Sequence, residues 1–222
     1  MAQCNGLQIR KTVGSNPTRC STHKYVMNEF CVGMRDLKIN VPNDIITAYY
    51  EALEFCKEHN YKKSLQENWN YFSWYLQDVS EKHRRLLDNP TPGLEDRVEH
   101  LKIFNVWITE CPAIVKIKDF LTSHFSSCFH ARIANLPAGS YVDIHDPHAW
   151  PRIFVPMHDN ECDFCIVEDG KLHTARFEVG SMYLFDVRKF HGTFNKGKTD
   201  RYMGAFYIDP RVETITKIEG LN

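Results

Sequence analysis

The chain has 222 residues and a formal net charge of −1, with 43% hydrophobic and 25% charged residues. This composition is typical of one folded domain with a core and unlike that of a disordered chain. Near-neutral charge without a basic stripe argues against a nucleic-acid partner. No apolar run reaches the roughly 18 residues that a membrane span needs, and no apolar stretch of a signal peptide follows the first basic residues. We therefore expect a cytoplasmic protein with reduced cysteines.

The first 125 residues predict a leader and a helical region. Residues 1–22 are polar and rich in turn signals, and residues 24–35 are expected to form a first strand. A helix should begin after Pro42-Asn43-Asp44, because apolar residues recur at helical spacing from Ile45 to Cys56. Further helices are predicted over about 64–87, 94–110 and 112–124, with a break at the proline-rich segment 89–93.

Residues 126–222 have a different pattern, with short β-rich runs separated by glycine and proline turns. The runs are 127–136, 141–145, 151–157, 163–168, 171–178, 181–187, 191–195 and 201–208. Short strands at near-regular spacing are typical of a sandwich, jelly roll or barrel. The whole chain is therefore predicted to be α+β, with helices from residues 1–125 packed against the sheet as one compact unit.

Two histidines and an arginine in this second part indicate metal chemistry. His145 ends the run 141–145, His191 follows the run 184–190, and Arg201 opens the last strand ten residues later. Imidazole suits Fe(II), and a site with open positions suits an oxygenase that binds a co-substrate and O₂ together. An arginine at the start of the last strand could hold a dicarboxylate through a two-pronged, charge-assisted contact.

Residues 127–210 resemble the 2-oxoglutarate oxygenases of the aspartyl/asparaginyl β-hydroxylase and cis-proline 4-hydroxylase type, whereas the helical part resembles no family. The matching residues are Leu136-Pro137-Ala138-Gly139, His145, Arg152-Ile153-Phe154-Val155-Pro156, Gly180 to Asp186, His191, Asn195 and Arg201. The resemblance implies a double-stranded β-helix (jelly roll) that uses Fe(II), 2-oxoglutarate and O₂.

The resemblance also implies a role for each matching polar residue. His145 and His191 would be iron ligands, and Arg201 would bind the distal carboxylate of 2-oxoglutarate. Arg152 would hold a carboxylate of co-substrate or substrate. Asn195 is the third residue of the expected co-substrate-binding set. Asn195 and Asp186 are both expected to order the turn around the second ligand more than to touch the substrate.

The sequence departs from the family's His-x-Asp motif, because Pro147 stands where the carboxylate ligand is expected. Three alternatives follow. Water could fill the third position of a two-histidine site, chloride could fill it as in the related halogenases, or Asp146 or His148 could coordinate. Adjacent strand residues point to opposite faces, so Asp146 should face away from a metal bound by His145, although a kink at Pro147 could reverse this.

The function expected from this resemblance is hydroxylation of an unactivated C–H bond in a small polar substrate, such as an amino acid or its derivative, with succinate and CO₂ as co-products. A peptide side chain is a second substrate class. The alternatives are a 2-oxoglutarate-dependent halogenase and a non-catalytic cupin-like metal-binding module, and Arg201 favours an oxygenase over the module. Cys162 and Cys165 form a single CxxC without a second ligand pair, so they are predicted to be ordinary strand residues and not a zinc site.

Overall fold

The computed structural model describes residues 26–27, 33–61, 63–66, 71–79, 102, 104–145, 150–209 and 212–213. Two helices lie within these residues, α1 (Asn43–Glu58) and α2 (Pro112–His124). The strands of the first half are β1 (Val26–Met27), β2 (Met34–Asn40), β3 (Lys63–Gln66), β4 (Tyr71–Tyr75), β5 (Gln77–Val79) and β6 (Phe104–Trp107). Those of the second half are β7 (Phe129–Leu136), β8 (Tyr141–His145), β9 (Arg152–Pro156), β10 (Cys162–Glu168), β11 (Lys171–Ala175), β12 (Ser181–Phe185), β13 (His191–Asn195) and β14 (Arg201–Tyr207).

Strands β7 to β14 divide between two sheets. One sheet has the order β1-β11-β10-β13-β8, and the other has the order β2-β12-β9-β14-β7-β4-β3. Pairing among β7 to β14 is antiparallel throughout, and the chain changes sheet after β7, β8, β9, β11, β12 and β13. Antiparallel strands distributed in this way form a jelly roll. The predicted double-stranded β-helix is confirmed.

The seven-stranded sheet has an outer face covered by the helices and an inner face turned toward the five-stranded sheet. Ile153 and Val155 on β9 belong to the core beneath α1 and α2, whereas Phe154 between them belongs to the core between the sheets. This is the alternation expected of a strand. The α1 helix approaches β14 closely, because a Cβ atom at Gly204 would lie 2.6 Å from the Tyr49 ring.

The predictions of two helices in the first half are wrong for the residues that the structure describes. The segment 64–87 contains strands β3, β4 and β5, and the end of the segment 94–110 forms β6. The reason is pairing with distant strands: Trp74 of β4 lies opposite Ile133 of β7. The run Tyr71-Phe72-Ser73-Trp74-Tyr75 is rich in aromatic residues, which fit a pleated, half-buried surface.

The other two helices predicted in the first half are confirmed as α1 and α2. The strand expected over 24–35 corresponds to the short β1 and the beginning of β2, and the predicted leader over 1–22 lies outside the described residues. Strands β2, β3 and β4 extend the seven-stranded sheet at its two edges. No helix among the described residues is long and apolar enough to cross a bilayer.

Candidate functional site

The two predicted metal ligands lie side by side on neighbouring strands. His145 ends β8 and His191 begins β13, and the two residues are directly opposite each other in the antiparallel pair. Their ring centroids are 4.2 Å apart. His191 is buried and His145 is partly exposed. The fold therefore brings together two imidazoles that are 46 residues apart in the sequence (191 − 145).

Hydrogen bonds fix the orientation and the tautomer of both rings. Nδ1 of His145 lies 2.7 Å from the carbonyl oxygen of Asp143, and Nδ1 of His191 lies 2.7 Å from that of Lys189. A carbonyl oxygen can only accept, so each Nδ1 carries the proton and donates it. In the neutral ring the lone pair then lies at Nε2, the nitrogen through which such a ring binds a metal. Ligating histidines are usually held in this way by a carbonyl group behind the ring.

Gly192 allows the two histidine strands to approach each other. A Cβ atom at this position would lie 2.8 Å from the carbonyl oxygen of Val142 and 3.0 Å from the nitrogen of Ile144. The pairing register also shifts between His191 and Thr193. Glycine in a strand marks close backbone approach or a bulge, so a side chain here would push β13 away from β8.

Asp186 orders the turn that leads into His191. Its carboxylate accepts hydrogen bonds from Nε of Arg188 at 2.7 Å and from Nη2 of Arg188 at 3.0 Å. Its backbone nitrogen donates to the carbonyl oxygen of Gly33 at 2.7 Å. These bonds fit the turn-ordering role expected for Asp186.

Arg201 is a buried cation that faces the five-stranded sheet. Its Nη1 donates to Oγ1 of Thr193 at 3.1 Å and to Sγ of Cys162 at 3.4 Å, and its Cζ lies 5.1 Å from the ring centre of Phe164. Its Nε is buried without a hydrogen-bond partner, and the described residues place no carboxylate within ion-pair distance of it. A buried charge without a counter-ion is costly, so this position calls for an anion.

The spacing along β13 of His191 and Thr193, which contacts Arg201, suits a short dicarboxylate. Thr193, which contacts Arg201, follows His191 by two residues on β13, which corresponds to about 7 Å along a strand. A molecule that binds a metal at His191 through one end can therefore reach Arg201 with its other end. Phe164 lies opposite Thr193 on β10 and belongs to the core between the sheets, so this path is lined with apolar surface.

Sequence reasoning missed Thr193 and Cys162 as parts of this site. Sγ of Cys162 lies 3.0 Å from Oγ1 of Thr193, and both contact the same Arg201 nitrogen. Strand parity could have identified Thr193, because a residue two positions after His191 faces the same side. Cys162 required the register of β10 with β13, which the sequence alone does not contain.

The two cysteines of the CxxC face opposite sides of the five-stranded sheet. Cys162 packs between the sheets, whereas Cys165 packs with Ile144 and Leu172 in a separate cluster. Burial raises the pKa of the Cys165 thiol to about 12, so the thiol stays neutral at ordinary pH. Zinc binds the thiolate, and this geometry fits the expectation of ordinary strand residues.

Arg152 lies at the metal end of the sheet, far from Arg201. It is paired with Phe185, whose ring centroid is 5.5 Å from that of His191. It is also paired with Tyr207, which follows Arg201 by six residues on β14. Six residues of strand span about 20 Å. The two arginines therefore cannot hold the same carboxylate.

Asn195 is engaged in a turn. Its Nδ2 donates to the carbonyl oxygens of Leu136 at 2.9 Å, Pro137 at 3.1 Å and Thr199 at 2.9 Å, and its Oδ1 accepts from the nitrogen of Gly197 at 3.0 Å. These bonds fit a turn-ordering role. Direct binding of co-substrate by Asn195 stays a prediction, and these bonds do not favour it.

The part of the site that the structure describes offers a metal two imidazoles. Within that part, no group of three or more histidine, cysteine, aspartate or glutamate residues could hold a metal ion. Asp146, Pro147 and His148 lie outside the described residues, so an Asp146 ligand stays a prediction. Imidazole nitrogens suit Fe(II), and Arg201 suits the distal end of a co-substrate bound to it.

No family model and no curated protein matches the chain. Solved structures similar to it include the following three. A prolyl hydroxylase from Trichoplax adhaerens, in complex with a peptide fragment of the hypoxia inducible factor oxygen degradation domain, has a TM-score of 0.49 at 10% identity and covers 81% of this chain and 84% of its own. HygX from Streptomyces hygroscopicus, with nickel, 2-oxoglutarate and hygromycin B bound, has a TM-score of 0.46 at 12% identity. It covers 79% of this chain and 82% of its own. A Pseudomonas putida prolyl-4-hydroxylase has a TM-score of 0.45 at 11% identity and covers 79% of this chain and 92% of its own.

Proposed function

We propose that this protein is an Fe(II)- and 2-oxoglutarate-dependent oxygenase that hydroxylates an unactivated C–H bond. The observation that carries the proposal is the combination of two oriented imidazoles with a buried arginine that has no carboxylate partner among the described residues. Nε2 of His145 and of His191 would hold the metal. Arg201 would bind the distal carboxylate of 2-oxoglutarate.

The chain's own residues would orient the co-substrate and keep water from it. The Nη1 group of Arg201 is anchored by Thr193 and Cys162, which leaves the buried Nε edge of the guanidinium for a carboxylate. Phe164 lies beneath the guanidinium. The bound metal would supply the oxidative chemistry, in which 2-oxoglutarate and O₂ are consumed and succinate and CO₂ are released.

Arg201 favours an oxygenase over a cupin-like metal-binding module. A structural module has no need of a buried cation without a counter-ion, since such a group only destabilises the fold. Within the oxygenase class we propose the two-histidine alternative, with water in the third position and hydroxylation as the outcome. A small polar molecule or a peptide side chain would be the substrate.

The experiment is to measure succinate formed from 2-oxoglutarate by the purified protein with Fe(II) and ascorbate in air. We expect iron-dependent succinate formation by the parent and by His124→Ala, a matched control at the exposed end of α2. His191→Ala should form none. If the parent forms no succinate with Fe(II), or if His191→Ala forms as much as the parent, the proposal is wrong.

A further inference from the structure

A row of neighbouring side chains crosses the inner face of the seven-stranded sheet, beginning at the metal end. The ring of Phe185 on β12 lies 5.5 Å from that of His191. Arg152 on β9 is paired with Phe185 on one side and with Tyr207 of β14 on the other. The ring of Tyr207 in turn lies 5.7 Å from that of His130 on β7. We call this the metal-end row.

Two aromatic residues from the first half of the chain extend this row. The rings of Tyr75 on β4 and Phe104 on β6 stack at 5.5 Å with an interplanar angle of 17°. They lie 5.1 Å and 4.9 Å from the ring of His130. Both are partly exposed, so they present aromatic surface next to the row and do not only fill the core.

His130 lies in a β-bulge. Its φ is +55°, and the register of β7 with β14 shifts between the pairs Ala205–Arg132 and Tyr207–Phe129, so β7 carries one extra residue here. The surrounding rings of Tyr75, Phe104 and Tyr207 hold this residue, which is itself buried. Bulges are over-represented next to active sites, where they redirect a side chain, which favours a binding role for the aromatic cluster.

Arg152 places a cation in the middle of the row. Its Nη2 donates to the hydroxyl of Tyr207, and its Cζ lies 4.6 Å from the ring centre of Tyr207 and 5.8 Å from that of Phe154. Its Nε is buried without a hydrogen-bond partner, and none of the described carboxylates lies within ion-pair distance. The guanidinium is held in place, and the residues that the structure describes supply no anion to it.

The length of the row sets the size of the ligand. From Phe185 on β12 to Tyr75 on β4 there are four steps between adjacent strands, which corresponds to about 19 Å. A free amino acid is much shorter than this. Arg152 on β9 is three of these steps, about 14 Å, from Tyr75. A ligand that uses the cation and the aromatic pair and also reaches the metal end must therefore be extended, with a negative group in its middle part and a ring at one end.

We propose that the metal-end row binds the primary substrate, and that this substrate is an extended, ring-bearing carboxylic acid. Its carboxylate is held by Arg152, its ring stacks on Tyr75 and Phe104, and the part extending from Arg152 toward His191 carries the C–H bond that reacts. This inference rests on the proposed oxygenase function and replaces the small polar substrate of that proposal with a longer, ring-bearing acid. It assigns to β4 and β6 the recognition of the substrate ring.

The test uses three probes that differ in one group each: N-(phenylacetyl)glycine, its neutral primary amide, and N-acetylglycine, which lacks the ring. Their binding to the full chain is measured by calorimetry with Mn(II) and saturating 2-oxoglutarate, so that the co-substrate site is filled. The ring-bearing acid should bind at least about tenfold more tightly than the amide and several-fold more tightly than the ringless acid.

The variants separate the two contacts. Arg152→Gln should abolish the preference for the acid over the amide. Arg176→Gln should retain it, because Arg176 is exposed, pairs with Asp163 and is not a member of the row. Tyr75→Leu should abolish the preference for the ring, and Tyr141→Leu should retain it because Tyr141 is 53% exposed and lies outside the row. Phe104→Leu replaces Tyr75→Leu if the latter does not fold.

The outcomes distinguish this inference from the proposed function. Equal binding of the three probes, or preferences that survive Arg152→Gln and both ring variants, would overturn the inference even if the protein consumes 2-oxoglutarate. If the preferences depend on these residues but the protein forms no succinate with Fe(II), the result supports binding by the metal-end row and overturns the proposed oxygenase function.

Discussion

The two faces of the seven-stranded sheet are built from alternate residues of the same strands and have different properties. The outer face carries mainly aliphatic side chains such as Ile153 and Leu184 beneath the helices. The inner face carries aromatic side chains together with Arg152 and Arg201. Because neighbouring residues on a strand point to opposite faces, adjacent substitutions on one strand should separate stability from ligand binding.

The largest effect is expected at the metal. His191→Ala and His145→Ala should each abolish Fe(II) binding measured by calorimetry, because each variant removes one of only two imidazoles in the described part of the site. The circular dichroism spectrum should be that of the parent, since neither ring fills the outer core. If either variant binds Fe(II) as tightly as the parent, the assignment of the metal ligands is wrong.

The outer face should respond in stability alone. Ile153→Ala removes a fully buried side chain under the helices, so the free energy of unfolding should fall by about 2–5 kcal/mol. Chemical denaturation measures this change. The 2-oxoglutarate affinity of the folded variant should be unchanged, and a loss of that affinity would show that the two faces are not independent.

The inner face should respond in binding. Arg201→Ala should raise the 2-oxoglutarate concentration needed for half-maximal turnover at least tenfold, because losing a buried charge-assisted contact costs about 2–5 kcal/mol. Iron affinity should be nearly unchanged, since Arg201 contacts Thr193 and Cys162 and not the imidazoles. An unchanged co-substrate dependence would move the anchor elsewhere, with Arg152 the first residue to test.

The smallest effect is expected at Asp146. With two histidine ligands and water in the third position, Asp146→Ala should retain iron binding and most of the 2-oxoglutarate turnover, and the reaction should be indifferent to chloride. A loss of iron binding as severe as in His145→Ala would identify Asp146 as the third ligand. A chlorinated product detected by mass spectrometry only when chloride is present would identify a halogenase.

The second half of the chain could be predicted from its sequence because its signals are local. The hairpin between β10 and β11 turns at Asp169-Gly170, where both residues have positive φ, as that dipeptide predicts. Turn signals of this kind bound the predicted strands, and His145, His191 and Arg201 lie at strand ends as predicted.

The first half could not be predicted in the same way. The aromatic residues between Trp69 and Val79 fit helical spacing as well as strand spacing, and the choice is made by the pairing of β4 with β7, 58 residues further along the chain (129 − 71). The contact of Cys162 with Arg201 depends in the same way on the register of distant strands. The Tyr75–Phe104 pair also forms only after β4 and β6 are in place.

The central claim is that His145, His191 and Arg201 together bind a metal-chelated 2-oxo acid, and an anaerobic titration tests it most directly. Fe(II) and 2-oxoglutarate are added to the protein without O₂ while the visible spectrum is recorded. The parent should develop a weak charge-transfer band at saturation, Arg201→Ala should need at least about tenfold more 2-oxoglutarate to reach it, and His191→Ala should show none. A band of equal intensity in His191→Ala, or no band in the parent, would contradict the claim.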